Sequence, residues 1–199
     1  GSALDLSWAD AHVAAIIDSF YPGARGGKAV AEAIFGDFSP SGKLPVTFYQ
    51  GTENLPEFTD YDMSDRTYRY TDKNVLYPFG YGLHYGTIRY ENAQISCAQC
   101  SVRDAVDVSV DVINESSYTI HESVQAYIQH EEADAYEPGY QLKGIQTVTL
   151  QPKETKRVTI SLKARDFAII TQEGECVVRP GSYRIAIGGQ QPDARSAKL

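Results

Sequence analysis

The stretch that decides the fold runs from Tyr21 to Phe48 and reads YPGARGGKAVAEAIFGDFSPSGKLPVTF. Its middle predicts a helix from about Gly26 to Phe35, because apolar residues recur there at spacings of three and four. Gly36 follows at the position where helices commonly end in a left-handed glycine. A turn and a short apolar strand from Leu44 to Phe48 come next, and Pro45 favours an edge or a bulge of a sheet. The stretch therefore predicts one helix followed by one short strand.

A second helix is predicted upstream of this stretch. Ser7 and Asp10 have the spacing of a capping box, which places the start of the helix at Ser7. An apolar stripe then continues until Tyr21-Pro22-Gly23 ends the helix, and it consists of Ala9, Val13, Ile16, Ile17 and Phe20. Domains bury such apolar faces under a second layer, and two helices with one short strand provide no such layer. We therefore expect the segment from Ala3 to Phe48 to fold against strands supplied from elsewhere.

The next segment, residues 49–90, is rich in tyrosine and shows no lasting helical or strand period. Long loops inside compact domains are uncommon and are usually functional or disordered. Disordered segments lack aromatic residues, so disorder does not fit this composition. We expect an ordered loop laid over another surface through its aromatic rings and hydroxyl groups, and we call residues 49–90 the strap.

After Glu91 the pattern changes to strict alternation of apolar and polar residues. Short alternating runs with turn residues about every ten positions are typical of an antiparallel β-sandwich. The runs are Val106–Val112, Val124–Ile128, Val158–Leu162 and Tyr183–Ile187. The sequence thus predicts an α/β part at residues 1–48, the strap at 49–90 and an all-β sandwich at 91–199.

Several phrases resemble the glycoside hydrolases of family 3. They are the Tyr21–Phe48 stretch, DYDMSDRTYRY at 60–70 and LYPFGYGLHY at 76–85. The phrases LKG at 142–144, LQPKET at 150–155 and PGSY at 180–183 resemble the fibronectin type III-like domain that closes many of these enzymes. The resemblance covers essentially the whole chain. It implies the second half of an α/β sandwich lobe, the long aromatic strap and a fibronectin type III-like antiparallel β-sandwich.

The resemblance implies exo-acting hydrolysis of terminal β-linked sugars with retention through a glycosyl-enzyme intermediate. Such chemistry needs two carboxylates about 5–5.5 Å apart. The family's aspartate nucleophile and glutamate acid/base have no match here, so we predict no catalytic residue in this chain. Most carboxylates on loops are simply solvated, and we expect this of those in the strap: Glu53, Glu57, Asp60, Asp62 and Asp65.

The same resemblance implies a second polypeptide that carries the barrel domain and the first half of the lobe. It would be the rest of a split or nicked enzyme, or a separately encoded subunit. A circularly permuted parent with its barrel encoded downstream is a variant of this expectation. Proteolysis leaving an inert scaffold is a further alternative.

The run Arg66-Thr67-Tyr68-Arg69-Tyr70 alternates cations with aromatic rings. Rings stack on the C–H faces of sugars and guanidinium groups donate to hydroxyls, so Arg66, Tyr68, Arg69 and Tyr70 are our candidate substrate-binding residues. The alternative is that these side chains pin the strap to the lobe and barrel through buried salt bridges. The phrases at 55–61 and 66–70 look most like bacterial β-xylosidases, with β-glucosidases next. A non-catalytic carbohydrate-binding or structural module is the hypothesis from another class.

Composition and cysteine spacing exclude some other functions. The formal charge of −8 repels a polyanion, so nucleic acid is an unsuitable partner. Cys97 and Cys100 have the C-x-x-C spacing of redox and zinc sites, but a structural zinc needs four ligands and only Cys176 remains. We therefore predict no metal and no cofactor, and we interpret the pair as small residues near a domain junction. The glycosylation sequon at Asn114 lies at a predicted β-turn, where asparagine is favoured in any case.

Overall fold

The α/β part contains two short helices. A computed structural model of the chain describes residues 1–53, 55–71, 73–134 and 137–192. Helix α1 spans Ser7–His12 and helix α2 spans Gly26–Phe35. Gly36 closes α2 in the left-handed conformation, with φ of 80°, and its N–H donates to the carbonyl of Ala33. The predicted bounds and cap of α2 are confirmed.

Helix α1 is much shorter than predicted. It ends at His12, and Val13 is already extended, with φ of −115° and ψ of 151°. The predicted capping box is wrong, because Asp5 provides the side-chain acceptor: its Oδ1 accepts from the Ser7 N–H at 3.0 Å and from the Ser7 hydroxyl at 2.7 Å. Residues 13–19 form neither helix nor strand. Their β-branched apolar residues suit an extended chain as well as a helix, so spacing alone does not distinguish the two.

The strap is ordered through short elements. Strand β1 (Phe48–Tyr49) pairs antiparallel with β2 (Val75–Tyr77), and the single-turn helix α3 (Thr67–Tyr70) lies between them in sequence. Leu44 precedes β1 rather than beginning it. Its N–H donates to the Tyr81 carbonyl at 2.8 Å, and its carbonyl accepts from the Gly80 N–H at 2.8 Å. The predicted strand is therefore wrong except for its last residue.

Two antiparallel three-stranded sheets form the sandwich. One has the order β3-β4-β7 and the other β10-β5-β6. The strands are β3 (Ile88–Ile95), β4 (Val106–Asn114), β5 (Ile120–His130), β6 (Gln141–Leu150), β7 (Thr155–Leu162) and β10 (Tyr183–Gly188). A 3-10 helix at Ala164–Phe167 and a hairpin of β8 (Ile169–Ile170) and β9 (Cys176–Val177) connect β7 to β10. The fold class expected from the sequence is confirmed.

Alternate residues of these strands build the hydrophobic core. Each of the four alternating runs lies inside one strand: β4, β5, β7 or β10. Register places Val110 opposite Val158 and Val108 opposite Ile160, so that apolar residues of neighbouring strands face the same side. The buried cluster comprises Val106, Val108, Val110, Val112, Val124, Ala126, Ile128, Leu150, Val158, Ile160 and Leu162.

The α/β part buries little of its own apolar surface. Helix α1 has no buried residue, and α2 buries only Gly26 and Ala33. Large side chains stay in contact with solvent, including Trp8 at 70% exposed, Ile34 at 61% and Phe35 at 84%. Residues 1–48 thus lack a covering layer within the described part of the chain. None of the helices in the described part of the chain has the length and apolarity to cross a membrane.

Candidate functional site

Arg66 organises the tip of the strap, residues 57–62. Its Nη2 donates to the carbonyls of Glu57, at 2.9 Å, and Asp60, at 2.6 Å, while its Nε donates to the carbonyl of Asp62 at 3.0 Å. Three carbonyls of one loop therefore converge on one guanidinium, whose fixed fork of donors suits such convergence. The tip is built around Arg66 and directs Phe58, 93% exposed, toward solvent.

The backbone on either side of Arg66 is strained. Asp65 and Thr67 both have φ of 56°, in the left-handed region that non-glycine residues rarely occupy. Neighbouring contacts offset this strain: Lys73 pairs with Asp65 at 2.9 Å, and the Thr67 N–H donates to the Tyr49 hydroxyl at 3.0 Å. Strained positions persist only where the surroundings hold them, and they cluster at functional sites.

Tyr68 fastens the strap to the sandwich. Its ring stacks on Phe79, with centroids 4.2 Å apart and planes 13° apart, and meets the edge of Tyr127 in β5 at 6.3 Å. Its hydroxyl accepts from the N–H of Leu142 in β6 at 3.3 Å. The Tyr68 carbonyl accepts from the side-chain amide of Gln191 at 3.1 Å. The ring is thus held between protein groups.

Arg69 also bonds to the sandwich. Its Nη2 donates to Oε1 of Gln141 at 2.6 Å, and its carbonyl accepts from the Gly139 N–H at 2.7 Å. The Arg69 Nε is buried without a hydrogen-bond partner among the described residues. Neither Arg66 nor Arg69 belongs to an ion pair of the described chain. The pinning alternative expected buried salt bridges, whereas Arg66 and Arg69 make hydrogen bonds to the strap and to the sandwich. Tyr70 is half-buried.

The cavity beneath the strap is smaller than a sugar ring requires. The cavity there measures about 70 Å³ and is lined by strap residues such as Tyr49, Leu55 and Lys73. Ligand pockets usually measure about 300–1,000 Å³, so this one is too small for a pyranose ring. The strap carboxylates are exposed, and hydrogen bonds from Ser64 lower the pKa of Asp62. A general acid needs the opposite shift.

Glu122 forms a buried charged cluster where the three parts of the chain meet. This carboxylate in β5 is 1% exposed. Its Oε1 lies 3.1 Å from the Lys43 Nζ and accepts from the Tyr90 hydroxyl at 2.8 Å, and its Oε2 lies 2.6 Å from the His84 Nε2. Lys43 comes from the α/β part, His84 from the strap, and Tyr90 from the first residues of β3, where the strap enters the sandwich. Sequence analysis missed this site, although the sequence contains a signal for it. Glu122 precedes Val124 by two residues and so shares its inward face, and a buried carboxylate needs a partner.

The electrostatics of this junction favour the charged carboxylate. Burial opposes ionisation of Glu122, but His84, Lys43 and Tyr90 together outweigh burial and hold its pKa below the ordinary value. Burial, followed by the Glu122 charge, raises the pKa of Tyr90, which stays a neutral hydrogen-bond donor. The junction is thus a permanent ion pair at neutral pH. It links the strap and the α/β part to the sandwich.

The structure corrects the interpretation of Cys97 and Cys100 as merely small residues near a domain junction. Cys97 and Cys100 are joined by a disulfide, and Cys176 is free and exposed. Among the described residues, no group of three His, Cys, Asp or Glu side chains is placed to hold a metal ion. Asn114 is fully buried, and its amide donates to the carbonyls of Tyr118, at 2.7 Å, and Gln151, at 3.0 Å. The side chain of this asparagine therefore supports a turn in the folded chain.

Comparisons with family models and with curated proteins support the resemblance for the N-terminal part and for the sandwich. Residues 1–85 match the glycosyl hydrolase family 3 C-terminal domain, and residues 122–191 match the fibronectin type III-like domain. A β-xylosidase of Formosa agariphila is 34% identical over 94% of this chain and 27% of its own length. A xylan 1,4-β-xylosidase of Xylanibacter ruminicola is 34% identical over the whole chain and 23% of its own length. The chain thus spans about a quarter of these relatives.

Solved structures agree with the sequence relatives. The β-D-glucoside glucohydrolase of Trichoderma reesei superposes with a TM-score of 0.84 at 25% identity, covering 96% of this chain and 31% of that one. A β-glucosidase of Erythrobacter marinus superposes with a TM-score of 0.74 at 36% identity, covering 87% and 23%. With the domain matches, these likenesses place the chain in glycosyl hydrolase family 3, as the C-terminal portion of such an enzyme.

Proposed function

We propose that this chain is the non-catalytic C-terminal part of a retaining, exo-acting β-glycosidase that is completed by a barrel-bearing polypeptide. The observation that carries the proposal is the uncovered apolar face of residues 1–48. Trp8, Ile34 and Phe35 are exposed although they belong to helices that pack against a layer in ordinary domains. Exposed apolar patches of this kind mark interfaces, which weighs against a stand-alone binding or structural module.

The proposed substrate is a terminal, non-reducing β-linked xylose. Two relatives that are 34% identical to this chain are described as β-xylosidases. The phrases at 55–61 and 66–70 also look most like such enzymes. The second candidate is a β-glucosidase, supported by the likeness to the Trichoderma reesei and Erythrobacter marinus enzymes.

We further propose domain boundaries at residues 48 and 90 and distinct roles within the 66–70 segment. The contacts of Arg66, Tyr68 and Arg69 support a positioning role. Arg66 donates hydrogen bonds to the strap tip, whereas Tyr68 and Arg69 hydrogen-bond to the sandwich. Tyr70 is the remaining candidate for direct contact with the substrate. This division differs from the expectation that all four side chains bind sugar.

Assembly and activity test the proposal directly. The native particle is measured by light scattering, and the polypeptides that co-purify are identified by mass spectrometry. We expect a second polypeptide with a barrel, and hydrolysis of aryl β-xylosides by the assembly but not by this chain alone. Faster hydrolysis of aryl β-glucosides would select the second candidate. A monodisperse particle of 22.0 kDa with no partner would overturn the proposed assembly.

The role of Arg69 is tested by a matched pair of variants in the assembled enzyme. Arg69→Ala and Gln141→Leu both remove the 2.6 Å hydrogen bond between the two side chains. If Arg69 is a positioning residue, both variants lower stability and leave turnover of the remaining folded enzyme unchanged. A loss of turnover in Arg69→Ala alone, at unchanged stability, would instead assign Arg69 to substrate binding.

A further inference from the structure

The loop between β3 and β4 contains a disulfide that the proposed function does not use. It joins Cys97 and Cys100, three positions apart in sequence, with Cα atoms 6.2 Å apart. A disulfide stabilises a fold largely by restricting the unfolded chain, and the restriction grows with the length of the closed loop. A ring this short restricts few conformations. Its contribution to the stability of the sandwich is therefore small.

Hydrogen bonds already hold the ends of this loop. Ser96 and Asp107 are joined twice: the Ser96 N–H donates to the Asp107 carbonyl at 2.9 Å, and the Asp107 N–H donates to the Ser96 hydroxyl at 3.0 Å. Farther along, the Ser101 N–H donates to Oδ2 of Asp104 at 2.9 Å. None of these hydrogen bonds involves a sulfur atom. The β3–β4 connection thus has its own support when the disulfide is open.

The two cysteines differ in their access to solvent. Cys97 is half-buried and packs against the hydrophobic core of the sandwich. Cys100 is exposed. Both line a groove of about 540 Å³, which residues 178–183 also line. An incoming thiol thus reaches Cys100 more easily than Cys97.

We propose that Cys97–Cys100 is an exchangeable disulfide, opened by low-molecular-weight thiols while the sandwich stays folded. A thiolate of the reductant attacks the sulfur of Cys100 and forms a mixed disulfide there. Cys97 leaves as a thiolate and takes up a proton. A second thiolate of the reductant attacks the mixed disulfide, the oxidised reductant departs, and Cys100 is released as a thiol. Two electrons pass to the protein in total.

The consequence is local. Opening the ring releases residues 97–102, which line the groove, from their crosslink. Strand β4 stays hydrogen-bonded to β7, and β5 stays hydrogen-bonded to β6. The groove therefore has an oxidised form with this segment crosslinked and a reduced form in which only the neighbouring hydrogen bonds hold the segment. This inference does not depend on the proposed glycosidase function, because it needs only the sandwich.

Reduction under native conditions tests the inference. The Cys176→Ser chain, which lacks the free exposed thiol, is treated with glutathione, and thiols are trapped with N-ethylmaleimide and counted by mass spectrometry. We expect reduction within about tenfold of the rate in urea-unfolded chain, because access and thiolate character set such rates. Far-UV circular dichroism should be unchanged, and hydrogen exchange should rise in residues 97–105 alone. A disulfide that opens only after unfolding, or two free thiols in the air-oxidised chain, would overturn the inference.

Two single variants test which sulfur is attacked. Cys97→Ser leaves a thiol at Cys100, and Cys100→Ser leaves one at Cys97, both in the Cys176→Ser background. The exposed Cys100 thiol should react with N-ethylmaleimide at least about fivefold faster than the half-buried Cys97 thiol, since exposure governs thiol reactivity. Equal rates would contradict attack at Cys100.

Discussion

Glu122→Gln is the substitution that should destabilise this chain most clearly. Glutamine keeps the shape of the side chain but removes the charge that pairs with Lys43 and His84. Glu122 is 1% exposed and the Lys43 side chain 13%, so solvent cannot replace the lost partner. The ammonium of Lys43 would remain nearly buried beside a neutral amide.

The expected loss is large for one substitution. Breaking a buried ion pair by removing one partner costs about 3–5 kcal/mol in the free energy of unfolding, because an uncompensated charge remains. For a chain of this length, about 1 kcal/mol corresponds to roughly 2–4 °C in Tm, so Tm should fall by about 6–20 °C. Urea titration of the full chain, followed by far-UV circular dichroism, measures the free energy.

Two comparisons separate the ion pair from general damage. Glu131→Gln breaks an exposed pair with Arg184 and should cost under about 1 kcal/mol. Replacing both members of the Lys43–Glu122 ion pair, Lys43→Met with Glu122→Leu, should recover part of the loss because neither charge of that pair remains. The reasoning fails if Glu122→Gln costs no more than Glu131→Gln.

The same ion pair gives a pH dependence. The folded-state pKa of Glu122 lies below the ordinary value of 4.5, so its stabilisation is fully present above about pH 4.5. The stabilisation is lost as pH falls through the lower folded-state pKa, when the carboxylate takes up a proton. Urea titrations between pH 7 and pH 3 should show the difference between parent and Glu122→Gln shrinking at the acid end. A difference that stays constant would contradict this sign.

Substitutions at three further residues test other contacts. Arg66→Met removes three hydrogen bonds to the strap tip, so hydrogen exchange and proteolysis should increase at residues 57–62, whereas the exposed Arg103→Ala should change neither. Asn114→Ala leaves buried carbonyls without a donor and should cost about 1–3 kcal/mol by urea titration. Tyr68→Phe should cost about 1 kcal/mol for the lost acceptor of the Leu142 N–H, and Tyr68→Ala about 3–5 kcal/mol for the lost stacking on Phe79, so equal losses would contradict the packing role.

Local chemistry explains which elements of the fold were predictable. Helix α2 and its glycine cap depend on residues within one short stretch, and the alternating runs of β4, β5, β7 and β10 face a common core. Strands β3 and β6 were missed because their patterns are less regular. Residues 92–95 of β3 and residues 145–147 of β6 are exposed, so burial selects no strict alternation there.

The site was less predictable because its partners are distant in sequence. Sequence analysis proposed segment 66–70 as a candidate substrate-binding site, but its hydrogen bonds go to loop carbonyls and to Gln141, neither of which leaves a motif. Glu122 was detectable as a charge at an inward strand position. The partners of Glu122 could not be predicted, because Lys43 and His84 lie near it only when the sandwich and the strap are folded together.

The buried junction also explains how an uncovered α/β part can be ready for a partner. The sandwich has its own core, whereas residues 1–48 expose Trp8 and Phe35. Lys43 follows α2 by a few residues, so its pairing with Glu122 restrains the apolar face relative to the sandwich before a partner binds. Orienting an interface in advance lowers the ordering cost of association. In the proposed assembly, the buried ion pair therefore favours binding of the barrel-bearing polypeptide and also stabilises this chain.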